Sequence, residues 1–347
     1  MNIVLFLLIY SVSFNLMAQK KSYQIRTIAF YNVENLFDIK NDSLSFDDDR
    51  TPEGKDQWTL DRYFKKIEQL TKVISEIGAD IPKTSPDIIG LCEIENRAVL
   101  EDLIQHNHLK NKEYGIIHFD SPDERGIDVA LLYKKAAFIP NTFRSHRLLL
   151  FNEDGFRDYS RDQLVVGGFL DDEQFYFIVN HWPSRSGGEA RSKPNRMAAA
   201  ELNKRIIDSI VRFDASAKII SMGDFNDDPT SDSLKKILKT KGESTNLEPN
   251  DLYNPMERLH KKGIGSLAYR DKWNLFDQLF FTSNLITKHK KTYSFWQAFV
   301  YAPSYLIDPS GRFKGYPLRT YAGGNYVGGF SDHFPVYMYL IKESKAP

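Results

Sequence analysis

The chain has 347 residues, 41% hydrophobic and 13% aromatic, which excludes a disordered polar chain and leaves room for one large core. Basic and acidic side chains number 46 each, so a general basic coat for nucleic acid is excluded, although a local basic groove is not. The one cysteine, Cys92, rules out an intrachain disulfide and, inside an apolar run, reads as a small core residue rather than a nucleophile.

Residues 1–18 carry no charged side chain, hold an apolar run from Val4 to Tyr10 and end on Leu16-Met17-Ala18. They read as a cleaved signal peptide, which predicts a secreted or periplasmic protein with no stable membrane association. One domain is expected over residues 22–343. Apolar runs predict strands over residues 25–31, 87–92, 128–133, 163–169, 175–179, 218–222, 275–281 and 335–341. Helical spacing of Tyr63, Ile67, Leu70, Ile74 and Ile77 predicts a helix over 60–77, and that of Ala198, Leu202, Ile206 and Ile210 one over 189–213. Asn96 is a candidate cap for a short helix over 98–105. Residues 42–58 are polar, and Asp47-Asp48-Asp49 within them read as a solvated loop in preference to a calcium site. Residues 301–329, rich in Gly, Pro and Tyr, form a loop of functional length. Hairpin-like connections among residues 128–179 favour mixed or antiparallel sheets in an α/β protein.

The chemistry gathers at strand ends. Apolar runs lead directly into Asn32 and Glu34, into Glu93, into Asn180-His181, and into Asp224-Phe225-Asn226. Side chains converge where rigid strands stop. Asp277 lies inside an apolar strand and needs a partner there; the imidazole of His333 in Ser331-Asp332-His333 is the candidate. Oxygen ligands suit a hard divalent cation such as Mg²⁺, a carboxylate can take a proton from water, and amide and imidazolium groups offset charge on a phosphoryl transition state. Neither a zinc-ligand spacing nor a phosphate-binding Gly-Lys loop occurs. Arg125 and Arg185 are candidate phosphate contacts, whereas Arg191 and Arg196 read as a solvated helix face. Trp182, Tyr269 and Trp273 are candidates for stacking on a base or sugar, or for the core.

Seven segments in order carry a resemblance: Phe30-Tyr31-Asn32-Val33-Glu34-Asn35, Ile89-Gly90-Leu91-Cys92-Glu93, Gly126 to Tyr133, Asn180-His181-Trp182-Pro183-Ser184-Arg185, Gly223-Asp224-Phe225-Asn226, Phe276-Asp277-Gln278 and Ser331-Asp332-His333-Phe334-Pro335-Val336. The chain resembles the endonuclease/exonuclease/phosphatase superfamily, and its first segment is similar to a branch of extracellular nucleases of Bacteroidetes-type bacteria. The resemblance implies a four-layer α/β sandwich, two packed mixed or antiparallel β-sheets flanked by helices. It implies Glu93 as principal metal ligand, with Glu34 and Asp332 as further ligands. Mg²⁺ is the implied cofactor, with Mn²⁺ or Ca²⁺ as alternatives. Asp224 would orient water; Asn32, Asn226, His181 and His333 would hold the phosphate, with Asp277 behind His333. Asp120 is the expected acidic partner of His181. Cys92 stands where glutamine is common in the family. The implied function is a secreted phosphodiesterase, most simply a monomeric nuclease acting on nucleic acid. Inositol phosphates or phospholipids are the alternative substrates, and a non-catalytic phosphate-binding protein the remote one.

Overall fold

The computed structural model describes residues 21–344; the predicted leader lies outside them. Twelve strands build two six-stranded sheets. In chain order they are β1 (Tyr23–Leu36), β2 (Ile88–Ile94), β3 (Tyr114–His118), β4 (Asp128–Lys134), β5 (Phe138–His146), β6 (Gln163–Leu170), β7 (Glu173–His181), β8 (Lys218–Asp224), β9 (Leu252–Tyr253), β10 (Asp277–Thr282), β11 (Ser294–Val300) and β12 (Val336–Glu343). The first sheet has the order β11-β12-β1-β2-β4-β3 and the second β9-β10-β8-β7-β6-β5. β1 and β2 are parallel, as are β7 and β8; the other neighbours are antiparallel. Both sheets are therefore mixed.

Side-chain alternation explains the layers. Along β1, Ile28 and Phe30 enter the core between the sheets, with Leu131, Val179, Met222 and Leu279. Ala29, Tyr31 and Val33 turn the other way, under Ile67, Leu70 and Ile74 of α1 (Leu60–Glu76) and Leu100 of α2 (Arg97–Gln105). On the far side, Ile178 and Phe225 pack against Ala199 and Ile206 of α3 (Glu189–Phe213). The result is helix, sheet, sheet, helix, the four layers that were expected. Asn96 caps α2 by accepting from the Val99 N–H at 3.2 Å.

The strands missed in the sequence are β3, β5 and β11, with the two-residue β9. β3 and β5 are edge strands, and β5 leaves Asn141, Thr142, Phe143 and Arg144 exposed, so no alternation marks it. β11 is an edge strand broken by an irregularity between Phe295 and Gln297. No described helix is long and apolar enough to cross a membrane.

Candidate active site

Three neighbouring strands of the second sheet bring their ends into one row. Register places His181 opposite Asp224, and Asp224 opposite Asp277. Gly223 permits the close approach of β7 and β8, because a Cβ there would lie 2.4 Å from the Asn180 carbonyl oxygen. The Asp224 carbonyl accepts the Trp182 N–H (2.9 Å) and the Phe276 carbonyl accepts the Phe225 N–H (2.9 Å), which fixes the turn that follows. The first sheet contributes from β1 and β2, whose pairing is irregular between Asn32 and Leu36. Here Glu34, Asn35 and Glu93 adopt positive φ of 51°, 51° and 63°, and Asn226 in the second sheet's turn has φ 50°. Left-handed non-glycine residues concentrated at one spot are strained backbone of the kind that persists at functional sites.

The side chains then meet. Asn32 Nδ2 donates to Asp224 Oδ2 (3.1 Å) and more weakly to Glu93 Oε1 (3.4 Å), joining the two sheets. The Asn35 N–H donates to Glu93 Oε2 at 2.8 Å. Asp224 Oδ1 accepts the Asn226 N–H at 2.9 Å, and Asn226 Nδ2 is tied to the Trp182 carbonyl at 3.0 Å. His181 Nε2 and His333 Nε2 lie 3.8 and 3.9 Å from Asp224 Oδ2. Behind His333, Nδ1 meets Asp277 Oδ2 at 2.6 Å, and Ser266 Oγ donates to the same oxygen at 2.5 Å. Asp332 stands at the rim, 3.9 Å from His333 Nε2. Ser331 Oγ donates to the Asn32 carbonyl (2.7 Å) and anchors the segment.

Burial and charge set the protonation states. Burial pushes the Asp224 carboxyl up to about 7; Asp277 and Glu93 add to the shift, while His333 and the Asn226 N–H oppose it. For His333, burial disfavours the charged ring, but Asp277, Asp224 and Asp332 outweigh it and hold the imidazolium well above its ordinary range. His181 is driven the other way, by burial first and then by Arg161, Arg125 and His333. A neutral and a charged imidazole thus flank one carboxyl that titrates near neutrality.

Several expectations fail on geometry. Asp120 does not partner His181; it is exposed and lies 3.9 Å from His118 Nδ1. His181 Nδ1 is buried without a hydrogen-bond partner among the described residues. Two acids nearby in the sequence do turn inward: Asp128, beside His118, and Asp123, which accepts from Arg161 at 2.8 Å, while Arg161 also holds the Trp182 carbonyl at 2.7 Å. Arg185 is not free for substrate: Nε donates to the Asn226 carbonyl (2.8 Å), and the guanidinium pairs with Asp227 (3.2 Å) and Glu189 (2.9 Å). It clamps the turn that carries Asn226. Arg196 is fully buried against Asp227 at 2.8 Å, not solvated. Asp47 is likewise buried, accepting the Asp42 N–H at 2.9 Å. Trp182 belongs to the core, whereas Tyr269 is 63% exposed. Arg125, at the rim, remains half-exposed beside Asp123.

Glu34 is only partly available as a metal ligand, because Oε2 accepts the Thr320 N–H (2.6 Å) and lies 3.7 Å from Lys66 Nζ. Lys66 was not picked out from the sequence. Its signal was legible: three residues beyond Tyr63 and four before Leu70, it falls on the buried stripe of α1.

The donor set fits a divalent cation. Asn32 Nδ2 bridges the carboxylates of Glu93 and Asp224, Asp332 lies beside His333, and the charge of Glu93 is part of what raises Asp224. Two trios bring ligand atoms within 4.8 Å of one another: Asp224, Asp277 and His333, and His118, Asp120 and Asp128. Hydrogen bonds already occupy both. In the second, Asp128 takes His118 at 3.0 Å and Ser121 Oγ at 2.5 Å.

Two grooves meet at the segment that follows His181-Trp182-Pro183. One of 730 Å³ is lined by Arg125, Tyr159, Arg161, Pro183 and Arg191. The other, of 750 Å³, is lined by Arg185, Tyr269, Arg270, Lys272, Asn274 and Phe276. Ser184, Ser186 and Gly187 border both. A third cavity of 740 Å³ is lined by Asp38, Asp42, Asp120 and Asp123 together with Lys40 and Glu95.

The sequence model described as Endonuclease/Exonuclease/phosphatase family matches residues 27–342. No curated protein matches the sequence. Among solved structures, a humanised TDP2 from D. rerio superposes with TM-score 0.55 at 12% identity, covering 91% of this chain and 98% of its own. A protein of the endonuclease/exonuclease/phosphatase family from Bacteroides thetaiotaomicron gives 0.55 at 17% identity, covering 93% and 97%. A mannosyl-6-phosphatase from the same organism gives 0.54 at 18% identity, covering 91% and 99%. At such identities the structures attest the fold alone; the family match spans nearly the whole chain. This chain belongs to the endonuclease/exonuclease/phosphatase family, enzymes that hydrolyse phosphoester bonds.

Proposed function

We propose that the protein is a secreted or periplasmic, metal-dependent phosphodiesterase, a nuclease in the first instance. The observation that carries the diester reading is the pair of grooves on either side of the Ser184–Gly187 segment. A diester bears an organic group on each side of phosphorus and needs room for both. The second groove adds an exposed ring, Tyr269, beside Arg270 and Lys272, chemistry that suits a base and its backbone phosphate. A solved TDP2 from D. rerio is described with a single-strand DNA product, which fits this reading.

Glu93 and Asp332 would hold Mg²⁺, which when bound polarises the phosphoryl oxygen and stabilises the leaving oxygen. Asp224, oriented by Asn32 Nδ2 and the Asn226 N–H, takes a proton from the attacking water. The His333 imidazolium, held by Asp277, offsets charge on the phosphoryl oxygens. Neutral His181 and the amides of Asn32 and Asn226 orient the phosphate.

The test is hydrolysis of single-strand DNA, RNA, inositol phosphates and mannose 6-phosphate side by side, with Mg²⁺ or EDTA. Diester cleavage with Mg²⁺ is expected. Asp224→Asn, which preserves shape but removes the base, should lower kcat about 10³-fold. Cleavage of monoesters alone would replace the diester reading with a phosphatase, and full activity in Asp224→Asn would remove Asp224 from the mechanism.

A further inference from the structure

We propose that Lys66 is a built-in counter-ion of the candidate metal centre, a positioning residue that withdraws Glu34 from the ligand set and leaves one divalent cation bound through Glu93. The inference rests on the reading of that centre as a metal site.

Lys66 comes from α1, outside the strands that form the row, and its side chain is 1% exposed. An ammonium has three donors; two of them find acceptors here, and a carboxylate lies within ion-pair distance. Nζ donates to Thr320 Oγ1 (2.7 Å) and to the Phe330 carbonyl (2.6 Å), and lies 3.7 Å from Glu34 Oε2. A buried ammonium without such partners would be strongly disfavoured. Glu34 Oε2 is engaged a second time, by the Thr320 N–H at 2.6 Å. The carboxylate that sequence pattern assigns to a metal is therefore already matched to a cation belonging to the chain itself. A second divalent ion at Glu34 would meet a like charge at short range.

The same ammonium also holds the chain that leads into the centre. Phe330, whose carbonyl it binds, directly precedes Ser331, Asp332 and His333, and Ser331 Oγ returns to the Asn32 carbonyl at 2.7 Å. Glu34 in turn follows Asn32, whose Oδ1 accepts the Glu34 N–H at 3.0 Å. One lysine thus neutralises Glu34 and fixes both segments that present Asn32, Asp332 and His333. Glu93 lies outside this arrangement; Asn32 and the Asn35 N–H hold its oxygens.

The experiment is calorimetric titration with Mn²⁺ of the purified wild-type chain, Glu34→Gln, Lys66→Met and the double variant. One Mn²⁺ per chain is expected for the wild type. Glu34→Gln should bind it within about threefold of wild-type affinity, since the removed charge was not a ligand. Lys66→Met exposes Glu34 to the cation and should bind a second Mn²⁺. The double variant, with neither charge, should return to one. Two ions on the wild type, a tenfold loss in Glu34→Gln, or wild-type stoichiometry in Lys66→Met each overturn the counter-ion role alone. Absence of Mn²⁺ binding to the wild type overturns the metal reading and this inference with it. Should Lys66→Met not fold, Lys66→Gln, which keeps a polar end for Thr320 and Phe330 but no charge, takes its place with the same second Mn²⁺ expected and the same overturning result.

Discussion

Glu95 shows how far a single carboxyl is reshaped by its place in this fold. Burial pushes it up to about 8, with Asp38, Asp47 and Asp42 adding to the shift and the Asp38 N–H opposing it. Its ordinary value is 4.5, so between 4.5 and about 8 the folded chain keeps a proton that the unfolded chain releases. The folded state then binds more protons, and stability falls as pH rises through that window. Glu95→Gln should remove that part of the slope: equal urea midpoints at about pH 4 and a higher midpoint than wild type at about pH 9. Identical slopes in the two proteins would show that Glu95 ionises normally. At this scale the sequence was informative about residue type and less so about partner. Asp277 inside an apolar strand pointed directly at His333. The partner of His181 was placed at Asp120, yet that side chain is exposed, and the buried acid three residues on, Asp123, pairs with Arg161 instead. Loop residues that close together in sequence differ in direction, and apolar spacing carries no signal for that.

Elements position what residues perform. α3 carries Arg196 against Asp227, one residue past Asn226, so the helix and the turn that follows Asp224 share an ion pair. Arg196→Ala leaves Asp227 underpaired in the interior and should lower stability by about 3 kcal/mol, read from urea unfolding. A loss under about 0.5 kcal/mol would assign the pair to the surface class. The ribbon formed by Leu267–Tyr269 and Lys272–Asn274 alternates its faces. Trp273 stacks on Phe334 at 6.1 Å, beside His333, while Leu267, Tyr269, Lys272 and Asn274 line the groove. Tyr269→Ala should raise KM for an oligonucleotide about tenfold, with little change for a small synthetic diester; equal effects on both would argue against a stacking role. The eight strands with continuous apolar runs and all three long helices were legible. The missed edge strands β3, β5 and β11 have one neighbour each and fewer residues committed to a core. The contacts of Arg185 and Arg196 with Asp227 reach across 42 and 31 residues, beyond any local period, so no sign of them is legible in the sequence.

On the scale of the whole molecule, the four layers followed from motif order, while the way they meet did not. Asn32 and Glu93 belong to one sheet, and His181, Asp224 and Asp277 to the other. The two sheets share no strand, and the core between them is made of side chains such as Phe30, Phe177 and Met222. The candidate catalytic groups are therefore mounted on two plates held apart by a packed filling, and the gap between the plates is one of their coordinates. A shift of about 1 Å in that gap is enough to reduce rates about 10²-fold, whereas strand hydrogen bonds within each plate would hardly register it. On heating, the initial rate should fall away from its Arrhenius rise before the far-ultraviolet circular dichroism changes; coincident losses would show that the plates part only on global unfolding. The enzyme's own turnover thereby becomes a gauge of sheet spacing, more sensitive than any spectroscopic signal that the sheets themselves produce.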